Sequence, residues 1–226
     1  IEGKKGLAQS VTNWYNLEDA LVGLGQEYSI LGIYFKKHAC MRGLHGGIDA
    51  VLAIKRKNDI TLEGIDKITI YTSSFVKQYD KPYPSTLVGT QSNLPYAISV
   101  GLLHGRVGLD EMADSLNDPK IKEIMQKITI VIEPEIEEHV KGNFTELTTV
   151  RAEICTKDGK KYVERVFLAC GEPENPISNK EFQDKFLSLA GKALKEEKVV
   201  ELYHSLNRLE QLKDISIIMD TVSMIQ

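Results

Sequence analysis

The stretch FKKHACMRGLHGGIDAVLAIKR, residues 35–56, gathers Lys36, Lys37, Arg42 and His45 where a helical pattern begins. A helix start presents unpaired N–H groups and a partial positive charge, which suit an anion. Gly43, Gly46 and Gly47 would let a ligand approach the backbone closely. Arg42 offers a planar fork that matches a carboxylate, and Lys36 adds a point charge. His45 can exchange a proton near neutral pH. Together these residue types describe a pocket for a small carboxylate-bearing molecule, with an acid or base inside it. The same residues also suit an ordinary surface. His45 would then be a cap, and Arg42 would pair with an exposed acid for under about 1 kcal/mol.

Other chemistry-bearing residues point elsewhere. His104 closes a buried helix and suits its C-terminal dipole. His139 lies in the acidic run EPEIEEHV, and His204 lies on a charged amphipathic stretch; both read as solvated. Tyr96 reads as a core aromatic whose hydroxyl needs a partner, and Gln91 as an aid to the helix start after it. The acids between Glu133 and Glu138 lack the spacing of a calcium loop. Cys40, Cys155 and Cys170 are widely spaced and form neither a C-x-x-C pair nor a disulfide framework. No phosphate loop, nucleophile elbow or metal-ligand spacing is present.

The elements that must position these residues follow from periodicity and caps. Val11, Trp14, Leu17, Leu21 and Leu24 fit one helix face over residues 9–27. YSILGIYFK, 28–36, predicts a strand. The opening segment continues as a helix through IDAVLAIKRK, and residues 68–72 alternate as a strand. Residues 76–90, with Pro82 and Pro84, predict a loop. Asn93 and Pro95 mark a helix start, and Asp110 and Asp118–Pro119 start two short helices. Residues 128–136 predict a strand. Residues 148–170 predict a hairpin turning at Asp158–Gly159. Ser178 and Glu181 form a capping box, followed by helical pieces over 198–212 and 215–224. The fold class expected is α+β: a mostly antiparallel sheet with helices packed on one face, plus a C-terminal helical tail. Three segments are expected: a helical lead-in over 1–27, an α+β domain over 28–177, and a helical segment over 178–226.

The chain has 226 residues, 42% hydrophobic and 27% charged, with a net charge of -4. That length allows a sizeable core. The acidic balance argues against a nucleic-acid partner. No apolar run is long enough to cross a bilayer, so no membrane partner is expected. With no signal peptide visible and no disulfide pattern, a cytoplasmic location is expected. The chain begins at Ile1, and IEGKKGL reads as the interior of a longer protein.

The segment FKKHACMRGLHGGIDAVL resembles the K-P-Y-P-x-C-R-x-x-H-x-x-I-D-A region of the MmgE/PrpD family. TQSNLPYAISVGLLHGRVGLDEM, LNDPKIKEIMQKITIV and GEPENPISNKEFQDKFLSLA are similar to three further motifs of that family, in the same order. The resemblance is to the family's C-terminal half. It implies a lyase or isomerase acting on small di- or tricarboxylates by proton abstraction next to a carboxylate, as in 2-methylcitrate dehydratases, cis-aconitate decarboxylases and an iminodisuccinate epimerase. It implies no metal and no organic cofactor. It assigns Lys36 and His45 to catalysis, and Arg42, Gln91 and Tyr96 to substrate binding. It also implies a homodimer, and an all-helical domain or separate helical partner that completes the site, so that this chain alone would be inactive. Lys37, His38 and Ala39 depart from the family's proline–aromatic–proline, and Gly43 stands where some members carry another histidine. A second expectation is a non-catalytic α+β module that dimerises or binds a helical partner through an apolar face of residues 179–224.

Overall fold

The computed structural model describes residues 3, 6–12, 14–16 and 18–223. Leu17 of the expected first helix, Met224 of the expected last one, and four residues of the opening IEGKKGL (Ile1, Glu2, Lys4 and Lys5) lie outside the described residues. The chain divides into two units, Ile1–Ile33 and Tyr34–Gln226.

In the first unit the expected helix over 9–27 is short and broken. Helix α1 spans Leu7–Val11, and a 3₁₀ turn spans Glu18–Leu21. Gly23 and Gly25 then take positive φ, +73° and +77°, which ends helical geometry. The strand expected over 28–36 is absent: Ser29–Gly32 form a 3₁₀ turn instead. Its β-rich composition finds no neighbouring strand. The bonds go to local carbonyls, Leu31 N–H to Tyr28 and Ile33 N–H to Ile30.

The second unit carries the sheet. Helix α2 (His45–Asn58) precedes strand β1 (Ile65–Thr72). Helices α3 (Ser74–Lys77), α4 (Leu87–Gln91), α5 (Leu94–His104), α6 (Leu109–Asp114) and α7 (Pro119–Met125) form the crossover to β2 (Ile128–Ile132). Residues 76–90 are therefore partly helical, because the Thr86 side chain accepts from Gly89 N–H and caps α4. Asn93 caps α5 by accepting from Tyr96 N–H at 3.0 Å, and Asp118 caps α7. Strand β2 stops at Ile132, and Pro134 opens helix α8 (Pro134–Val140). Strands β3 (Val150–Thr156) and β4 (Lys161–Val166) form the expected hairpin, with Gly159 at φ +82° in the turn. Helices α9 (Asn179–Ala190), α10 (Glu196–Leu206) and α11 (Ser216–Ser223) follow.

The strand order is β2-β1-β3-β4. The β1–β3 and β3–β4 pairings are antiparallel, while β1–β2 is parallel, with Ile68 opposite Ile128. The sheet is thus mixed, since the long helical crossover permits a parallel return that a hairpin does not. One face is the core. Ile68, Ile70, Val150, Ala152 and Ile154 are buried with Ile48, Val51 and Ile54 of α2 and Leu94, Ile98 and Leu102 of α5. The alternate residues carry charge. Arg151 stacks 3.7 Å from the Tyr71 ring centroid and pairs with Glu133 and Glu153. In the tail, Ile215, Ile217 and Met219 are exposed while Ile218 is buried. No described helix is long and apolar enough to cross a membrane.

Candidate functional site

Residues 35–41 run as an irregular segment, bent over 37–40 and pinned by three backbone bonds. Phe35 N–H donates to Gly171 at 2.8 Å, Ala39 N–H to Val107 at 2.9 Å, and Met41 N–H to Gln91 at 2.9 Å. The first pairing depends on Gly171, at φ +109°, whose added Cβ would lie 1.9 Å from the Phe35 carbonyl oxygen. Pinned this way, the segment forms one wall of a cleft of about 840 Å³. Asp49, Leu52 and Arg56 of α2, residues 105–108 with the first turn of α6, Gln91–Ser92 and one face of α9 supply the rest. That volume suits a small ligand.

The start of α2 behaves differently from the sequence expectation. Gly46 packs so closely that an added Cβ would sit 1.8 Å from the Thr148 carbonyl oxygen, and Gly47 lies against Leu94. Both glycines, with Leu44 and His45, are buried. The glycines therefore seat the helix against its neighbours and do not open its N-terminus to a ligand. The cleft lies beside the helix, along the segment that leads into it.

The five residues singled out from the sequence separate into two groups. Lys36 and Gln91 line the cleft. Arg42 does not, because its fork is bound by Glu172: Nε donates to Oε1 at 2.8 Å and Nη2 to Oε2 at 2.7 Å. Arg42 also donates to the Thr145 carbonyl and lies over the Tyr34 ring. Tyr96 is fully buried, and its hydroxyl donates to the Met112 carbonyl at 2.8 Å. His45 is 2% exposed and sits behind His38, ring centroids 5.0 Å apart. Burial, then the neighbouring His38 and Lys36, push its pKa down to about 3, so it is neutral at physiological pH. Its Nε2 has no hydrogen-bond partner among the described residues.

The cleft also contains groups beyond those five. His38 Nε2 lies 2.9 Å from Asp49 Oδ1, and Asp49 Oδ2 accepts from Cys170 N–H at 2.8 Å. Burial works to raise the Asp49 pKa, but the hydrogen bond and charge of His38, the Cys170 N–H and nearby Lys37 outweigh it and hold it low. Lys37 pairs with Glu181 at 2.7 Å. Glu181 is held down to about 2 by that bond and by Ser178, whose N-cap it completes on α9. Burial pushes the Cys40 thiol up to about 12, so it is no thiolate. Lys185 reaches from α9 to the Lys36 carbonyl, and burial and then the Lys36 charge lower its pKa. Neither the Lys36 nor the Lys185 ammonium meets a carboxylate among the described residues, whereas Lys192 is neutralised by Asp110 at 2.6 Å. A signal for His38 and Asp49 existed in the sequence, a histidine eleven residues ahead of an acid on the next helix. Their contact, though, depends on how the bent segment before α2 lies along that helix.

Fold and cleft together define an α+β domain with a small-molecule-sized cleft whose wall carries two unneutralised lysines. The chain belongs to the MmgE/PrpD family: the model of the MmgE/PrpD C-terminal domain matches residues 38–208. Among curated proteins it is 27% identical over 224 residues to the "Cis-aconitate decarboxylase-like protein oryM" of Aspergillus oryzae, covering 94% of this chain and 45% of that protein. It is 24% identical over 221 residues to a cis-aconitate decarboxylase of Aspergillus terreus, covering 92% and 44%. It is 25% identical over 196 residues to the cis-aconitate decarboxylase of Mus musculus, covering 82% and 38%. The chain thus spans less than half the length of these relatives.

Proposed function

We propose that the cleft binds a small di- or tricarboxylate and forms the C-terminal part of a lyase or isomerase site. The observation that carries this reading is the pair of ammonium groups, Lys36 and Lys185, that share the cleft without carboxylate partners. Two like charges held together repel, and a polyanionic ligand removes that cost. The relatives support an acid of the cis-aconitate type. The chemistry proposed is charge development next to a carboxylate, ending in loss of carbon dioxide, loss of water or reprotonation. Lysines fixed beforehand stabilise that charge more in the transition state than in the ground state. Gln91 contributes hydrogen bonds at the wall. Arg42, Tyr96 and His45 act from behind it: Arg42 ties the segment to the 172 turn, Tyr96 anchors α5 to α6, and His45 packs against His38. The remaining acid–base groups come from a helical domain, consistent with a chain that covers under half of its relatives.

Titration calorimetry with cis-aconitate tests the reading. Binding is expected in the wild type, with Kd raised at least tenfold in Lys36→Ala and in Lys185→Ala, about 1.4 kcal/mol each. Unchanged affinity in both variants would sink the two-lysine site.

A further inference from the structure

We propose that His38 is the side chain that carries the proton in this cleft, and that Asp49 positions it. This deepens the carboxylate-site reading and rests on it. His38 lines the cleft with its ring almost wholly buried, 3% exposed, and its Nε2 lies 2.9 Å from Asp49 Oδ1. Asp49 is locked in turn, because its second oxygen takes the Cys170 N–H. An ionised carboxylate can only accept. The proton of a neutral His38 ring therefore sits on Nε2, and the lone pair sits on Nδ1. No hydrogen-bond partner meets Nδ1 among the described residues. The dyad thus holds one tautomer, whose basic nitrogen is Nδ1, on a ring that lines the cavity.

The surroundings suit that task. Lys36 and Lys37 flank the ring on its own segment, and His45 on α2 stacks edge-on behind it. Asp49 faces it from α2, Cys170 follows from the turn after β4, and Glu181 on α9 neutralises Lys37. His45 cannot take the same role. It is buried outside the cleft and resists protonation down to about pH 3.

The step balances without a further reactant. His38 Nδ1 takes a proton from the carbon next to a substrate carboxylate. The electron pair of that C–H bond passes into the carboxylate, whose added charge Lys36 and Lys185 meet. The imidazolium, paired to ionised Asp49, then returns a proton to carbon.

Three measurements on the chain test this with cis-aconitate as the probe. In ¹⁵N NMR of labelled histidine, neutral His38 is expected as the Nε2–H tautomer, and Asp49→Asn should lose that preference. In D2O, at saturating cis-aconitate, the wild type should wash deuterium into the methylene group next to the carboxylate. His38→Gln should slow that wash-in at least 100-fold and Asp49→Asn at least tenfold. An Nδ1–H tautomer in the wild type, or equal measurable wash-in rates for wild type and His38→Gln, would each overturn the dyad while leaving the carboxylate site standing. If calorimetry finds no binding to the wild type, the carboxylate site fails and the dyad fails with it.

Discussion

At the residue scale, His45 shows how burial decides what a titratable group does. An imidazole 98% removed from solvent gains no charge at pH 7, because desolvation and the facing His38 disfavour the cation. Its pKa falls to about 3, from an ordinary value near 6.5. Between those values the unfolded chain binds a proton that the folded one refuses, so stability rises with pH across that window. The contribution is fully present above about pH 6.5 and is lost as pH falls toward 3. Urea unfolding at pH 7 and pH 5 checks this. The wild type should lose about 2 kcal/mol more than His45→Gln over that interval. Equal losses would mean His45 is protonated in the folded state. Arg42 and Glu172 illustrate the complementary case, in which a cation singled out for a ligand is satisfied by the chain's own acid.

At the element scale, the contact between α2 and Thr148, just ahead of β3, seats a helix whose Asp49, Leu52 and Arg56 line the cleft. Gly46 lets the helix close on the Thr148 backbone, and no side chain fits there. The neighbour in the way is a carbonyl oxygen and not a flexible tip, so relief requires the helix itself to shift. Gly46→Ala is expected to cost about 3 kcal/mol. Far-UV circular dichroism during thermal melting should show Tm lowered by several degrees, and an unshifted Tm would refute the close packing. Helix α9 has a similar double role. Glu181 completes its N-cap with Ser178 and also neutralises Lys37, so the cap that starts the helix sets one charge of the cleft wall. The capping box was legible as S-x-x-E, because a cap is a local interaction. Its second partner, 144 residues away, was not.

At the scale of the whole molecule, a chain of net charge -4 concentrates unneutralised cations in one cleft. Long-range attraction of a polyanion must then overcome a net repulsive background, and it depends on the cations that line the cleft. The screening length falls from about 10 Å at 0.1 M salt to about 3 Å at 1 M. Affinity for cis-aconitate should fall about tenfold over that range in calorimetry. A flat response would show that the ligand's charges are not met by Lys36 and Lys185. The division of the chain at Ile33 also belongs to this scale. Periodicity predicted one long helix and one strand there. Positive φ at Gly23 and Gly25 ended the first, and the second lacked a strand to pair with.

What this sequence determined by itself was local. The hairpin at Asp158–Gly159 and the caps at Asn93, Asp118 and Ser178 each depend on residues within one turn of one another, and the α+β class and the order of motifs that resembles the MmgE/PrpD family were read from such local patterns in succession. Lys36 and Gln91, singled out from the sequence, both line the cleft. The tertiary structure decided the rest: the parallel β1–β2 pairing, the burial of His45, Arg42's bond to Glu172, and the meeting of His38 with Asp49 and of Lys36 with Lys185. Each joins groups through a packing angle or a backbone crossing, and no spacing along the chain encodes those.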